Sequence, residues 1–311
     1  MLPSMVEVTL DRFPVFAQAT AFRVHIAVLA LVGTAVLAWA WDRTAAAVLA
    51  VLALVSLGGV LPRWIGAEPP SGPNTLRLLV LNVSADSADL DATAAVIEEH
   101  GPAVVVLPEA SAAYAQSLIG RIDAGYSATT DVYPPRSAAD GSSVAPEAAV
   151  RTPAATTVLV REGVSATAQP TRLPLSLGMV GVTVRVGGSS VDVLGVHPNS
   201  PSPFAEAAWN DDLDTLRDSC RTGVPTVIAG DLNTTANHSS FRALIRAGCR
   251  DSAEEVGAGA ATTWPADLPR LLGVGLDHVL TAGPAIGATA VRIVDVPGGH
   301  HRAVIAELVV R

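Results

Sequence analysis

The chain has 311 residues, half of them apolar, a mean hydropathy of +0.41, and 20 basic against 29 acidic residues for a formal net charge of −9. That balance argues against a nucleic-acid partner, whose phosphates need a basic face, and suits a site that gathers carboxylates around a divalent cation. Cys220 and Cys249 show no CxxC or Cys/His ligand spacing, which argues against structural zinc. They leave open a single disulfide or, more simply, two small buried side chains near helix ends.

Ala21 to Trp41 is almost wholly apolar, interrupted by Arg23 and His25 near its start, and a second apolar run extends from Ala45 to Leu61. Each approaches the ~20 residues a helix needs to cross a bilayer. Trp39, Trp41 and Trp64 lie at run ends, where amphipathic rings favour the interface. The polar break Asp42-Arg43-Thr44 predicts a tight hairpin. Residues 1–67 therefore read as a tail and two transmembrane helices, a multi-pass anchor in the cell membrane. A signal peptide fits less well, because the first run is too long, too far from the N-terminus and directly followed by another. A buried helical hairpin in a soluble core is the plainer alternative.

Residues 68–75, EPPSGPNT, mark a short extended linker. From Leu76 to Arg311 short β-type runs alternate with amphipathic helical stretches. Strands are expected at Leu76–Leu81, Ala103–Leu107, Thr156–Arg161, Met179–Val186, Val191–Val196, Pro225–Ala229, His278–Thr281, Thr289–Val294 and Ala303–Val310. Helices are expected at Leu90–Glu99, Ser111–Ile122, Phe204–Arg221 and Ser239–Ala247, and a long loop at Pro134–Pro153. Parallel crossovers mixed with hairpins predict an α/β domain with mixed sheets.

Polar residues recur where these strands end: Asn82, Glu109, His197, Asp231, Asn233, Asp277 and His301. Strand ends are where α/β folds place chemistry. Singly, each has an ordinary explanation. Asp231 in Gly230-Asp231-Leu232-Asn233 can be a turn former, Glu109 a solvated loop carboxylate, and His197 a hydrogen-bonded core histidine.

Taken in order, with Leu276-Asp277-His278 and Gly299-His300-His301-Arg302, the set resembles the endonuclease/exonuclease/phosphatase superfamily from about Leu76 to Arg311. Deoxyribonuclease I, abasic-site endonucleases, sphingomyelinases and inositol-phosphate phosphatases belong to it. The Thr263-Trp264-Pro265 run looks closer to a bacterial, membrane-anchored branch that includes a teicoplanin-resistance membrane phosphatase. The resemblance implies a deoxyribonuclease I-like fold, a two-layered mixed β-sandwich flanked by helices. It also implies a catalytic domain outside the cytoplasm, which needs an N-out hairpin or a span upstream of Met1.

The residue types suit phosphate-ester hydrolysis, which needs phosphate charge neutralised, a water activated and a leaving oxygen stabilised. Glu109 is a hard ligand for Mg²⁺ or Mn²⁺, and Asn82 can bond a metal ligand or a phosphate oxygen. Asp231 is the candidate to orient or deprotonate water, and Asn233 to hold a phosphate oxygen. His301 can donate to the phosphoryl group, with Asp277 fixing its tautomer. His197 can donate to a second phosphate oxygen or the leaving group, and Trp264 can line the substrate pocket. His278 reads as structural and His238 as a cap or loop residue.

One position departs from the family pattern. Where the superfamily usually has Ser-Asp-His, this chain has Gly299-His300-His301, so His300 stands where a metal-proximal Asp is expected. An imidazole brings no negative charge and suits softer ions than Mg²⁺. The expected function is a membrane-anchored, metal-dependent phosphoesterase acting on a lipid-linked or small phosphorylated substrate. A membrane-tethered nuclease and a non-catalytic binding module are the alternatives.

Overall fold

Alternation along the strands sets the layers. In β1 (Asn74–Val80) Leu76, Leu78 and Val80 enter one apolar cluster, while Leu79 and the following Leu81 enter another on the opposite face. Successive strand side chains point to opposite faces, so a strand apolar at every position is covered on both sides. β2 (Val104–Pro108) repeats the pattern, with Val104 and Val106 inward and Val105 and Leu107 outward.

The computed structural model describes residues 9–40, 43–132, 152–169, 173–221 and 223–311. Among these, one six-stranded sheet has the order β11 (Ile286–Val294), β12 (Ala303–Val310), β1, β2, β4 (Ala155–Arg161), β3 (Tyr126–Val132). The other has the order β5 (Ala166–Ala168), β6 (Met179–Val186), β7 (Ser189–Val196), β8 (Thr226–Asp231), β10 (Asp277–Ala282), β9 (Cys249–Asp251). The sheets pack face to face through Leu78, Val106, Val182, Val193, Val227 and Ala306. Helices α4 (Leu90–His100) and α5 (Ala112–Ile119) cover the first sheet, and α6 (Glu206–Ser219) and α7 (Ser239–Ala247) the second. This is the expected mixed sandwich flanked by helices, with β1–β2 and β7–β8 parallel and the other pairings antiparallel.

Three strands fall outside the expected set: β3, β5 and β9. All are sheet edges, and edge strands are short or polar where central ones are apolar. The loop expected at Pro134–Pro153 lies outside the described residues up to position 151. Cys220 and Cys249 are joined in a disulfide across 29 residues, tying the end of α6 to the start of β9, so the reading of two separate buried thiols is corrected.

The N-terminal helices differ in detail from two simple spans. A helix α1 (Pro14–Ala21) begins at a proline, which suits a first helical turn. The chain breaks at Phe22 and turns by 72° into α2 (Arg23–Ala40). α3 (Arg43–Gly58) then runs back along α2, bringing Gly59 beside Arg23 and Leu49 beside Gly33. The hairpin tip, Trp41 and Asp42, lies outside the described residues. Arg43–Trp64 has 22 residues with mean hydropathy 2.4 and little burial, so one segment is long and apolar enough to cross a membrane. A second exists if α1 and α2 count as one bent span.

Candidate active site

Topology brings the expected residues to one edge of the sandwich. β1 and β2 are parallel, so Asn82 and Glu109 leave the sheet on the same side. β7 and β8 do likewise with His197 and Asp231. β10 and β12 run antiparallel to their neighbours β8 and β1, so Asp277 and His301 enter their strands from that same edge. Asp277 and Asp231 are direct partners across the β8–β10 ladder.

The Gly-Asp-Leu-Asn motif has a steric cause. A Cβ on Gly230, whose φ is +154°, would lie 1.8 Å from the Val196 carbonyl oxygen. Only glycine lets β8 run this close to β7, and that approach sets Asp231 beside His197. Glu109 and Asn233 have φ of 62° and 48°, left-handed values uncommon for side-chain-bearing residues. Such backbone strain concentrates at functional sites, where surrounding structure over-determines it.

Asn82 links the carboxylates. Its amide donates to Glu109 Oε1 at 3.1 Å and to Asp231 Oδ2 at 2.9 Å, while its carbonyl accepts from the Ser84 N–H at 2.8 Å. Asp231 Oδ1 accepts from the Asn233 N–H at 2.9 Å. The Asn233 amide donates to the Pro198 carbonyl at 3.1 Å and lies 3.4 Å from His197 Nε2. That nitrogen is also 3.8 Å from both Glu109 and Asp231, and His197 Nδ1 is buried with no hydrogen-bond partner among the described residues. His301 donates from Nδ1 to Asp277 Oδ2 at 2.8 Å, and its Nε2 lies 3.7 Å from Asp231. Asp277 Oδ1 is buried without a hydrogen-bond partner among the described residues.

Burial raises the Asp231 carboxyl above its ordinary value. The Asp277 charge raises it further, while His301 and His197 oppose the shift. For His301, burial favours the neutral ring, but the charges of Asp277 and Asp231 outweigh it and hold its pKa at about 9. The imidazolium is therefore the resting form at neutral pH.

Glu109, His197, Asp231, Asn233 and His301 line a cleft of about 460 Å³ together with Trp264, while Asn82 and Asp277 are hydrogen-bonded to residues of that lining. His300 stands apart. It is exposed, its N–H donates to Ser84 Oγ at 2.8 Å, and its carbonyl accepts from the Ala266 N–H at 2.8 Å. Among the described residues it does not line the cleft. Asp231, Asp277 and His301 form a compact group, with one candidate ligand atom from each within 4.8 Å of the others. His278 is structural, donating to the Thr234 carbonyl at 3.0 Å and packing on Phe241 at 4.6 Å.

Sequence reasoning missed part of the site. Ala17, Gln18, Ala21 and Phe22 form one wall of the cleft. His238 holds that wall: its Nδ1 accepts from the Thr235 N–H, and its Nε2 donates to the Ala17 carbonyl at 2.9 Å. Asp212 on α6 accepts from the Asn199 N–H at 3.0 Å and the Ser176 N–H at 2.8 Å, fixing the loop after His197. No periodicity or motif marks these contacts. The buried acid within an otherwise amphipathic α6 is the one available signal.

Residues 79–302 match the model of the Endonuclease/Exonuclease/phosphatase family. The chain belongs to that family. An endonuclease/exonuclease/phosphatase from Beutenbergia cavernae is similar at 22% identity and a TM-score of 0.56, over 76% of this chain and 72% of the other. Humanized D. rerio TDP2 is similar at 14% identity and a TM-score of 0.56, over 75% and 98%. A family member from Bacteroides vulgatus follows at 12% and 0.55, over 77% and 100%. At these identities the likeness is one of fold. No curated protein matches. Members of the endonuclease/exonuclease/phosphatase family are hydrolytic phosphoesterases and nucleases, and divalent metal is usual among them.

Proposed function

We propose that this family member is a membrane-anchored, divalent-metal-dependent phosphoesterase that hydrolyses a lipid-linked or small phosphorylated substrate. The observation that carries the reading is the convergence of Glu109, Asp231 and His301 on one cleft, with Asn82 hydrogen-bonded to both carboxylates.

The donor chemistry fits a hard divalent cation. Glu109 presents a carboxylate at the cleft, and Asn82 holds it beside Asp231. Oxygen donors of this kind suit Mg²⁺ or Mn²⁺. We assign the metal to the Glu109 carboxylate, which the Asn82 amide orients, rather than to the compact Asp231–Asp277–His301 group, because the His301–Asp277 hydrogen bond already engages two members of that group. Bound there, the cation would neutralise phosphate charge.

The chain's own residues supply the rest. A buried Asp231 with a raised pKa is a stronger base than a free carboxylate, which suits it to take a proton from water. His301, positively charged and oriented by Asp277, donates from Nε2 to a phosphoryl oxygen as charge builds. The gaps of 3.7 and 3.8 Å between Asp231 and the two imidazoles exceed a hydrogen bond, so a substrate oxygen can bridge them. Asn233 and His197 flank that position.

Three observations favour a lipid-linked phosphate over a polynucleotide. No arginine stands among the described residues lining the cleft, whereas polynucleotide binding rests on cations that neutralise phosphates. One wall of the cleft is α1, directly before the apolar hairpin. The Cys220–Cys249 disulfide fits a domain facing an oxidising side of the membrane. The test is phosphate release by the full chain in detergent from polyprenyl and small phosphomonoesters with Mg²⁺ or Mn²⁺. Release should cease on chelation and in Asp231→Ala; cleavage of single-stranded DNA without phosphate release would replace this reading with the nuclease.

A further inference from the structure

A second cavity, of about 440 Å³, lies between the helical hairpin and the sandwich. Its walls are mostly apolar: Leu57, Val60 and Trp64 from the hairpin side, Ala261, Val291 and Ile293 from the domain. Pockets of a few hundred Å³ lined this way bind small apolar groups.

Its position gives it meaning. Ala21 and Val274 line both this cavity and the catalytic cleft. The catalytic pair also spans them, with His301 at the cleft and Asp277 in the wall of the apolar cavity. At the mouth stands Leu271, 90% exposed, with Leu272 beside it. His25 of α2 donates to the Leu271 carbonyl at 2.9 Å, so this leucine loop sits against the apolar hairpin. Exposed leucines that continue an exposed apolar helix surface mark contact with lipid.

We infer that this cavity holds the hydrocarbon chain of the substrate, a long-chain isoprenyl phosphate ester whose phosphoryl group lies at Asp231 and His301. The inference rests on the phosphoesterase reading and specifies its substrate class. The chain enters from the hairpin side past Leu271, and the phosphate passes Ala21 and Val274 into the polar cleft. The hairpin is then a wall of the binding site as well as an anchor, and binding strength grows with the apolar area covered.

Two variants narrow the cavity from positions outside the catalytic group, Leu57→Trp on the hairpin and Ala261→Phe on the domain. Phosphate release is measured on the full chain in detergent, from a long polyprenyl phosphate and from a water-soluble phenyl phosphate. Both variants should lower kcat/KM for the long substrate by roughly tenfold or more and leave phenyl phosphate unchanged. Equal loss on both substrates, or none on either, overturns the inference while leaving the phosphoesterase reading intact. A binding readout stands apart from catalysis. A long-chain alkyl phosphonate bearing a diazirine in its chain is photolysed on the wild type, and the adducts are mapped. Labelling at Val60, Trp64 and Val291 is expected. Labelling confined to the outer face of α2 and α3 overturns the inference even if catalysis is found.

Discussion

The imidazole of His301 donates from Nδ1 to Asp277 at 2.8 Å, which leaves Nε2 as the nitrogen turned towards Asp231 and the cleft. Asp277 starts β10 opposite Asp231, so the carboxylate that orients the histidine and the carboxylate it faces are neighbours in one ladder. Asp277→Asn keeps the shape and removes the charge. Phosphate release should fall by about 10²–10⁴-fold, the range for losing a positioned acid or base. The alkaline limb of the rate profile, set near pH 9 by His301, should move down. A profile measured from pH 5 to 10 on both proteins checks this; an unchanged limb would remove His301 from the proton inventory.

The same pair makes stability depend on pH. His301 has its folded pKa raised from the ordinary histidine value of 6.5 to about 9. The folded state binds that proton more tightly than the unfolded chain does. Its contribution is therefore complete below about pH 6.5 and is lost as pH rises through about 9, at up to ~1.4 kcal/mol per pH unit. Melting temperatures taken with chelator present should decline between pH 7 and 10 in the wild type. His301→Gln should flatten that decline.

How far the site is legible in the sequence follows from the same geometry. Asn82, Glu109, His197, Asp231, Asp277 and His301 are recognisable because each closes or opens an apolar strand, and a polar residue after such a run stands out. Gly230 adds a steric marker, since its close approach to Val196 tolerates no side chain. His300 is the opposite case: its place beside His301 suggests a ligand, yet its ring is exposed while its backbone is held by Ser84 and Ala266. The edge strands β3, β5 and β9 are too short or polar to show. The wall made by α1 is invisible for another reason: Ala17 and Ala21 look like any apolar helix, and their role comes from docking on His238.

Asn82 tests the metal assignment without removing a carboxylate. Its amide bonds Glu109 and Asp231 at once, so Asn82→Ala frees Glu109 to swing away. Residues that orient a metal ligand typically cost about 10–100-fold in metal affinity when lost. The Mn²⁺ concentration for half-maximal phosphate release should rise by that factor, with activity recovered at high Mn²⁺. Glu109→Gln should not recover. If Mn²⁺ saturation is unchanged in Asn82→Ala, the ion sits elsewhere, and the Asp231–Asp277–His301 group becomes the better assignment.

The disulfide should carry a measurable share of stability. Cys220 and Cys249 enclose α7 and β8 in a loop set by their separation of 29 residues. In the chain-entropy account a loop of that size contributes roughly 3–4 kcal/mol. The double variant Cys220→Ser/Cys249→Ser should unfold at correspondingly lower urea concentration. Reduction by dithiothreitol should match it in the wild type and do nothing further to the variant.

Asp11 is where the N-terminal segment meets the sandwich domain. Its carboxylate accepts from the Ser239 Oγ–H at 2.6 Å and from the Ser239 N–H, at the first residue of α7. The His238 cap residue makes no side-chain bond of its own to that helix. Asp11 therefore acts as the cap from a distance of 228 residues in sequence, and next to it Arg12 pairs with Asp214 at 3.0 Å. Losing a helix cap costs about 1–2 kcal/mol, and here the same change loosens the α1 wall that carries Ala17 and Gln18 into the cleft. Asp11→Ala should lower stability by that amount and raise KM for phenyl phosphate with kcat little changed, because α1 shapes the cleft without touching the proton-transfer pair. A fall in kcat at constant KM would place the segment in the chemistry instead of the wall.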